Sequence, residues 1–282
     1  MTPQRIGILY PGEMGISLAA SAQQSGHQVH WASAGRSAST RARAEKFALR
    51  DSQTLAALCA ICSVIVSICP PHAAEEVAQQ VIAQGYAGLY VDANAIAPQR
   101  AARVGQALSA AGIGFVDGGI IGGPAWQANT TWLYLAGPQA AEIAACFAAG
   151  PLATRVIGDA IGKASALKMC FAAYSKGTTA LLAATLAAAE ALDVRAELEQ
   201  QWAGDNPKTG NFAEQAAQRV QGVTAKAWRF VGEMEEIAAT FQAAGLPAGF
   251  HLAAAELYGR IAHFQSAPST PSLVDVLHAL QQ

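Results

Sequence analysis

Lys168 is the residue whose setting most needs a chemical explanation. It lies within 158–194, GDAIGKASALKMCFAAYSKGTTALLAATLAAAEALDV, where most neighbours are Ala, Leu, Met, Phe or Val. Between Ala164 and Leu192 there is no proline, and Gly177 alone weakens a strongly helix-forming composition. One helix of roughly 40 Å is expected there. Steps of four and seven from Lys168 bring Ala164, Ala172 and Ser175 onto its face, so its ammonium could look across small side chains with room for a ligand. The commoner arrangement lays the lysine stem along the helix and carries the ammonium into water, and on these residues alone that arrangement is favoured. Lys176 falls at the edge of the same face.

A second group of residues lies at the N-terminus. An apolar run, Arg5 to Tyr10, leads into Pro11-Gly12-Glu13-Met14-Gly15 and then a helical pattern. Gly12 and Gly15 would let the backbone approach a pyrophosphate, with Glu13 and Met14 beside it, while the helix start offers its N–H groups to the anion. Tyr10 occupies the place of the first glycine of G-x-G-x-x-G, so the motif by itself also suits an ordinary strand-to-helix turn. A third group follows the next strand, 28–32, where the ribose of a bound dinucleotide should lie. No Asp or Glu occurs at 33–37. Ser33 and Arg36, with Ser37, suit a 2'-phosphate instead, which favours NADP(H) over NAD. Arg41 and Arg43 either join them or form a solvated basic helix start.

These groups need a parallel sheet to present them. Helices are expected at 39–46, 54–60 and 138–148, and strands at 47–50, 64–69, 89–92, 114–117, 131–137 and 155–157. Loops after strand ends line the crevice of an open parallel sheet, which puts Cys69, Pro70 and Asn94 beside the cofactor. His72 reads as a helix-start residue more than a catalytic one. The glycines at 118–123 imply close backbone approach, most simply to the substrate or the nicotinamide ring. Beyond 158 everything reads as helix, broken at 204–207, 222, 245–247 and 266–271. The expected fold is α/β, a Rossmann-type doubly wound parallel sheet at 1–157, followed by an all-α substrate and dimerisation domain at 158–282 joined by the long helix.

The chain has 282 residues, 52% hydrophobic and 13% charged, with a net charge of −2. Such a composition suits packed cores, and no basic stripe suggests nucleic acid or an anionic membrane as partner. A small-molecule substrate is expected. Cys59 and Cys62 form a C-x-x-C, but without a second pair or spaced histidines they read as structural, and no metal is expected. The N-terminus lacks a signal-peptide pattern and no stretch suits a membrane span, so a cytoplasmic location is expected. The apolar content of 180–192 and 228–241 points to a homodimer.

Taken together, these residues resemble the β-hydroxyacid dehydrogenase superfamily, which includes 6-phosphogluconate and 3-hydroxyisobutyrate dehydrogenases and the imine reductases. Ile6 to Gly15 is similar to its I-G-F-I-G-L-G-x-M-G, Asp92 to Pro98 to its D-x-S-T-I-x-P, Asp117 to Gly123 to its D-A-P-V-S-G-G, and Gly162 to Ala172 to its G-x-G-x-x-x-K-x-x-x-N. The chain resembles in particular a phosphogluconate dehydrogenase-like subgroup with a C-terminal domain of unknown function, through K-M-x-x-A-x-x-x-K-G at 168–177 and G-E-M-E-E at 232–236. The resemblance implies that Lys168 is the catalytic acid/base for hydride transfer at a carbinol or carbonyl carbon. It also implies a substrate pocket at Gly119, Ile121, Gly122 and Gly123, with Ser175, Trp228 and Met234 contributing. Ile121 replaces the family's serine, Ala172 its asparagine, Ala164 a glycine and Gly119 a proline. Those departures point away from a sugar acid and towards an apolar substrate. Imine reductase chemistry, for which retention of the lysine is unusual, and a non-catalytic NADP-binding sensor or scaffold are the alternatives.

Overall fold

Apolar residues at alternate positions build the sheet. In β1 (Arg5–Leu9), Ile6 and Ile8 join one core cluster and Leu9 another. The computed structural model describes residues 2–205 and 211–282, and its chain divides into two compact units, 1–169 and 170–282. The division falls inside one helix, so the first turns of that helix belong with the sheet.

In the first unit, β1 is followed by α1 (Glu13–Gln24), β2 (Gln28–Trp31), α2 (Ala38–Lys46), β3 (Arg50–Asp51), α3 (Leu55–Ile61), β4 (Val64–Ser67), α4 (Ala74–Ala83), β5 (Leu89–Asp92) and α5 (Pro98–Ala110). Then come β6 (Gly114–Gly122), β7 (Thr131–Ala136), α6 (Ala140–Ala145), β8 (Ala153–Val156) and the start of α7 (Lys163–Ala191). The eight strands run in the order β3-β2-β1-β4-β5-β6-β7-β8, and only the β6–β7 pair is antiparallel. Val64, Val66 and Val91 bury one face against Ile16, Leu18 and Ile143, while Ile65, Tyr90 and Phe115 bury the other against Leu58, Val77 and Leu108. Burial on both faces explains why these strands read as continuous apolar runs.

Two strand boundaries depart from expectation. The strand expected at 47–50 is reduced to β3, because Phe47 closes α2 and Ala48 turns with φ 51°. The strand expected to end at Asp117 continues to Gly122, since β7 pairs with it from Asp117↔Ala136 to Gly122↔Thr131. Most of the glycine segment is therefore strand.

In the second unit, the rest of α7 is followed by α8 (Arg195–Asp205), α9 (Phe212–Gly222), α10 (Ala227–Ala243), α11 (Gly249–Arg260) and α12 (Leu273–Leu280). The expected break at 222 is the last residue of α9 and those at 245–247 and 266–271 separate α10, α11 and α12, whereas Asn206 and Pro207 of the first break lie outside the described residues. Met234, Ile237, Tyr258, Val276 and Leu277 are buried, and the Tyr258 hydroxyl donates to the Lys176 carbonyl at 2.8 Å. Along α7, Phe171, Tyr174 and Leu181 are exposed, while the Thr178 and Thr185 hydroxyls donate back to the carbonyls of Tyr174 and Leu181. These residues form an apolar seam at three- and four-residue spacing.

All five cysteines are free thiols, and only Cys170 is exposed. Burial pushes the Cys59 thiol up to about 11 and Cys62 up to about 12, so the C-x-x-C pair is an inert part of the core. Among the described residues no helix is long and apolar enough to cross a membrane, and no group of His, Cys, Asp or Glu is arranged to hold a metal ion.

Candidate active site

The turn after β1 is tight. Tyr10 has φ 66°, and its carbonyl accepts from the Gly12 N–H at 2.7 Å. A Cβ on Gly15 would lie 2.6 Å from that same carbonyl, so glycine is required there by the turn itself. Gly12 is different: a Cβ on it would meet nothing closer than 4.0 Å. Gly12 is also the N-cap of α1 and provides no side-chain acceptor to the first N–H groups of the helix, with Glu13 exposed in the first turn and Met14 half-buried. Open space in front of uncapped N–H groups is what an anion needs there.

At the end of β2 the basic residues divide their work. Arg41 donates to the carbonyls of Ser33 at 2.7 Å and Arg36 at 3.2 Å, and Arg43 reaches the Pro11 carbonyl at 3.4 Å. Both brace loops, which accounts for them without a phosphate. Ser37 caps α2 through the Thr40 N–H, and Ser33 is buried. Arg36 has a different setting. Its guanidinium lies 3.8 Å from the centroid of the Tyr10 ring, and its Nε is buried with no hydrogen-bond partner. Tyr10, Arg36, Ala32, Ala34, Leu55 and Val77 are among the residues lining a cleft of about 200 Å³.

The next two loops are tied together from within. The Asn94 side-chain carbonyl accepts from the Cys69 N–H at 2.6 Å, and its amide donates to Asp92 at 2.9 Å and to Ser67 at 3.3 Å. With 2% exposure and both amide hydrogens committed, Asn94 holds the ends of β4 and β5 in place, which is a structural reason for it that needs no cofactor. Pro70 is exposed beside buried Cys69. Asp92 is fully buried, and burial raises its carboxyl to about 7 against the two Asn94 hydrogen bonds that favour ionisation.

Asp117 is the register partner of Asp92 on β6, and it anchors α7. Its carboxylate accepts from the Ala164 N–H at 2.9 Å, the Ser165 N–H at 3.2 Å and the Ser165 hydroxyl at 2.6 Å. Burial raises its pKa, opposed by these hydrogen bonds. One turn further along α7 stands Lys168, half-buried. A Cβ on Gly119 would lie 2.6 Å from the Ala164 carbonyl and 3.1 Å from Lys168 Cβ. The close approach expected of this glycine segment is therefore real at Gly119, but what approaches is α7. Gly118 and Gly122 are likewise crowded by the Asp92 and Thr130 carbonyls, whereas Gly123 faces open space. Ile121 is 8% exposed on β6.

The remaining expected residues belong to the 170–282 unit. Ser175 accepts from Arg219 through its carbonyl at 2.8 Å, and Trp228 is 45% exposed. Met234 is wholly buried among the helices. Sequence reasoning missed Asp117 and Ser165 as a pair. An acid in an apolar strand was the available signal, since a buried carboxylate requires donors.

A mostly parallel, doubly wound sheet with a glycine turn at its centre is a dinucleotide-binding architecture, and with the family match that follows it makes the chain an NAD(P)-dependent oxidoreductase. The chain belongs to the family of the NAD binding domain of 6-phosphogluconate dehydrogenase, which matches residues 5–149, and a domain of unknown function, DUF1932, matches residues 189–261. No curated protein sequence matches the chain. Among solved structures, the conserved protein MTH1747 of unknown function, described as structurally similar to 3-hydroxyacid dehydrogenases, is 26% identical with a TM-score of 0.67, covering 93% of this chain and 98% of that one. The Mycobacterium tuberculosis 3-hydroxyisobutyrate dehydrogenase is 19% identical with a TM-score of 0.71 over 100% of both chains. The Salmonella typhimurium 3-hydroxyisobutyrate dehydrogenase is 18% identical with a TM-score of 0.69, covering 98% and 99%. The expected fold class and family are thus both borne out.

Proposed function

We propose that the protein is an NADP(H)-dependent dehydrogenase or reductase acting at the carbinol or carbonyl carbon of a small hydroxy acid or related apolar alcohol or ketone, with Lys168 as general acid/base. The observation that carries this reading is the anchoring of α7 by Asp117, which holds the turn of α7 just before Lys168 beside Gly119 of β6. The nicotinamide, when bound, supplies or accepts the hydride. The residues fit such a cofactor: the α1 N-terminus behind Gly12 suits its pyrophosphate, and Arg36, with no acid beside it, suits an adenosine 2'-phosphate. The Lys168 ammonium donates a proton to the substrate oxygen as that oxygen gains charge, and in the oxidative direction the neutral amine takes it back.

Ile121 in place of a hydroxyl residue supports an apolar substrate, so bulky carbonyl compounds should be turned over faster than sugar acids. The apolar seam of α7 supports a homodimer. Five free thiols suit the cytoplasm. The test is NADPH oxidation against a panel of hydroxy acids, aryl ketones and imines. Faster turnover of a phosphorylated sugar acid than of any apolar carbonyl would sink the substrate reading. An inert panel with tight NADPH binding would favour a sensor.

A further inference from the structure

We propose that Tyr10 is a positioning residue that holds Arg36 for the 2'-phosphate and thereby sets the preference for the phosphorylated cofactor. The proposal rests on the NADP reading above. The turn after β1 demands a left-handed residue, because its carbonyl must face both the Gly12 N–H and Gly15. Glycine adopts φ 66° freely, whereas a tyrosine is strained there. Something must offset that strain, and the ring makes two contacts that glycine could not: it packs against the core cluster of Leu9, Leu58 and Val77, and it lies 3.8 Å from the Arg36 guanidinium.

Arg36 needs such support. It follows Gly35, itself at φ 71°, in the short loop before α2, and its Nε is buried without a hydrogen-bond partner. Among the described residues no carbonyl holds its head in the way that Ser33 and Arg36 hold Arg41. A flat ring beneath the guanidinium fixes its plane and shields one face from water. A planar donor held before the ligand arrives loses less entropy on binding and discriminates better.

Affinities for NADP+ and NAD+, by titration of tryptophan fluorescence, would be compared for the parent, Tyr10→Phe, Tyr10→Gly and Tyr10→Asn, with Arg36 Nε–H solvent exchange measured by NMR without cofactor. Asn tolerates the left-handed backbone, so it removes the ring without loosening the turn as glycine does. Tyr10→Phe should keep the NADP+/NAD+ affinity ratio within about twofold of the parent. Tyr10→Gly and Tyr10→Asn should each lose about fivefold to tenfold for NADP+ with little change for NAD+, and Arg36 Nε–H exchange should accelerate. An unchanged ratio in both ring-less variants overturns the proposal while leaving the NADP reading intact, even if exchange accelerates. Equal affinities in the parent overturn the NADP reading and the proposal with it.

Discussion

Lys168 and Lys176 stand on the same helix, and the chain treats them differently. The Lys176 ammonium lies 2.9 Å from Glu233 and 4.7 Å from the Phe230 ring centroid, with its side chain 13% exposed. It is committed to the helical unit by an ion pair and an aromatic face. Lys168 belongs to the sheet unit, where the Asp117 carboxylate fixes the turn before it and Gly119 admits its stem. The lesson is that a lysine's job is read from what holds the element beneath it as much as from the lysine.

The sharpest way to break this comparison is to truncate each lysine. Lys168→Ala should lower kcat/KM by about a hundredfold to ten-thousandfold while leaving melting temperature and NADP affinity near the parent values. A loss of only a few fold would return Lys168 to the ordinary role of a lysine reaching for solvent. Next in size is Asp117→Ala, which removes the acceptor for two backbone N–H groups and a hydroxyl inside the protein. It should cost about 2–3 kcal/mol in urea unfolding and slow turnover, because α7 loses its anchor. Normal stability in that variant would detach Lys168 from the cap.

The pH dependence of stability tests the sheet unit from another side. Burial raises Asp92 from 3.8 to about 7, so between those values the folded protein holds a proton that the unfolded chain releases. Its contribution to stability is complete below about 4, declines as pH rises towards 7, and is gone above that. Burial also lowers the pKa of His27, His30 and His251, which acts in the opposite sense on acidification, so the measurement that isolates Asp92 is the difference between parent and Asp92→Asn from pH 4 to 8. The difference should change across that window, and a flat one would mean Asp92 is ionised throughout.

Arg36→Ala should erase most of an NADP preference of about tenfold, roughly 1.4 kcal/mol, in direct titrations. Smallest is Lys176→Met, which should cost about 1 kcal/mol of stability and leave turnover within a few fold, since the Glu233 pair is partly shielded but not enclosed. A large loss of activity there would make the two lysines equivalent and undo the contrast.

Much of this was legible in the sequence because it is set locally. The apolar runs of β1, β4 and β5, the glycine turn and the unbroken composition of α7 each declare themselves within one window. What stayed hidden depends on distant partners. Gly119 reads as a ligand glycine until α7 is seen to lie against it, and the extension of β6 depends on a strand that begins after a loop. The burial of Met234 among the helices was equally hidden, since an apolar side chain does not reveal which neighbour covers it. Tyr10 reads as a defect in a motif, and its stacking under Arg36 is visible only in the fold.

The distribution of thiols has a practical consequence. Four of the five cysteines are buried, so Cys170, beside Phe171 at the start of the helical unit's share of α7, gives the native protein a single accessible handle. A maleimide dye should attach there without mutagenesis, giving a spectroscopic reporter on the helix that carries Lys168. Should the apolar seam of α7 be covered by a second copy, the labelling rate would fall as protein concentration rises, and the alkylation kinetics would record assembly directly.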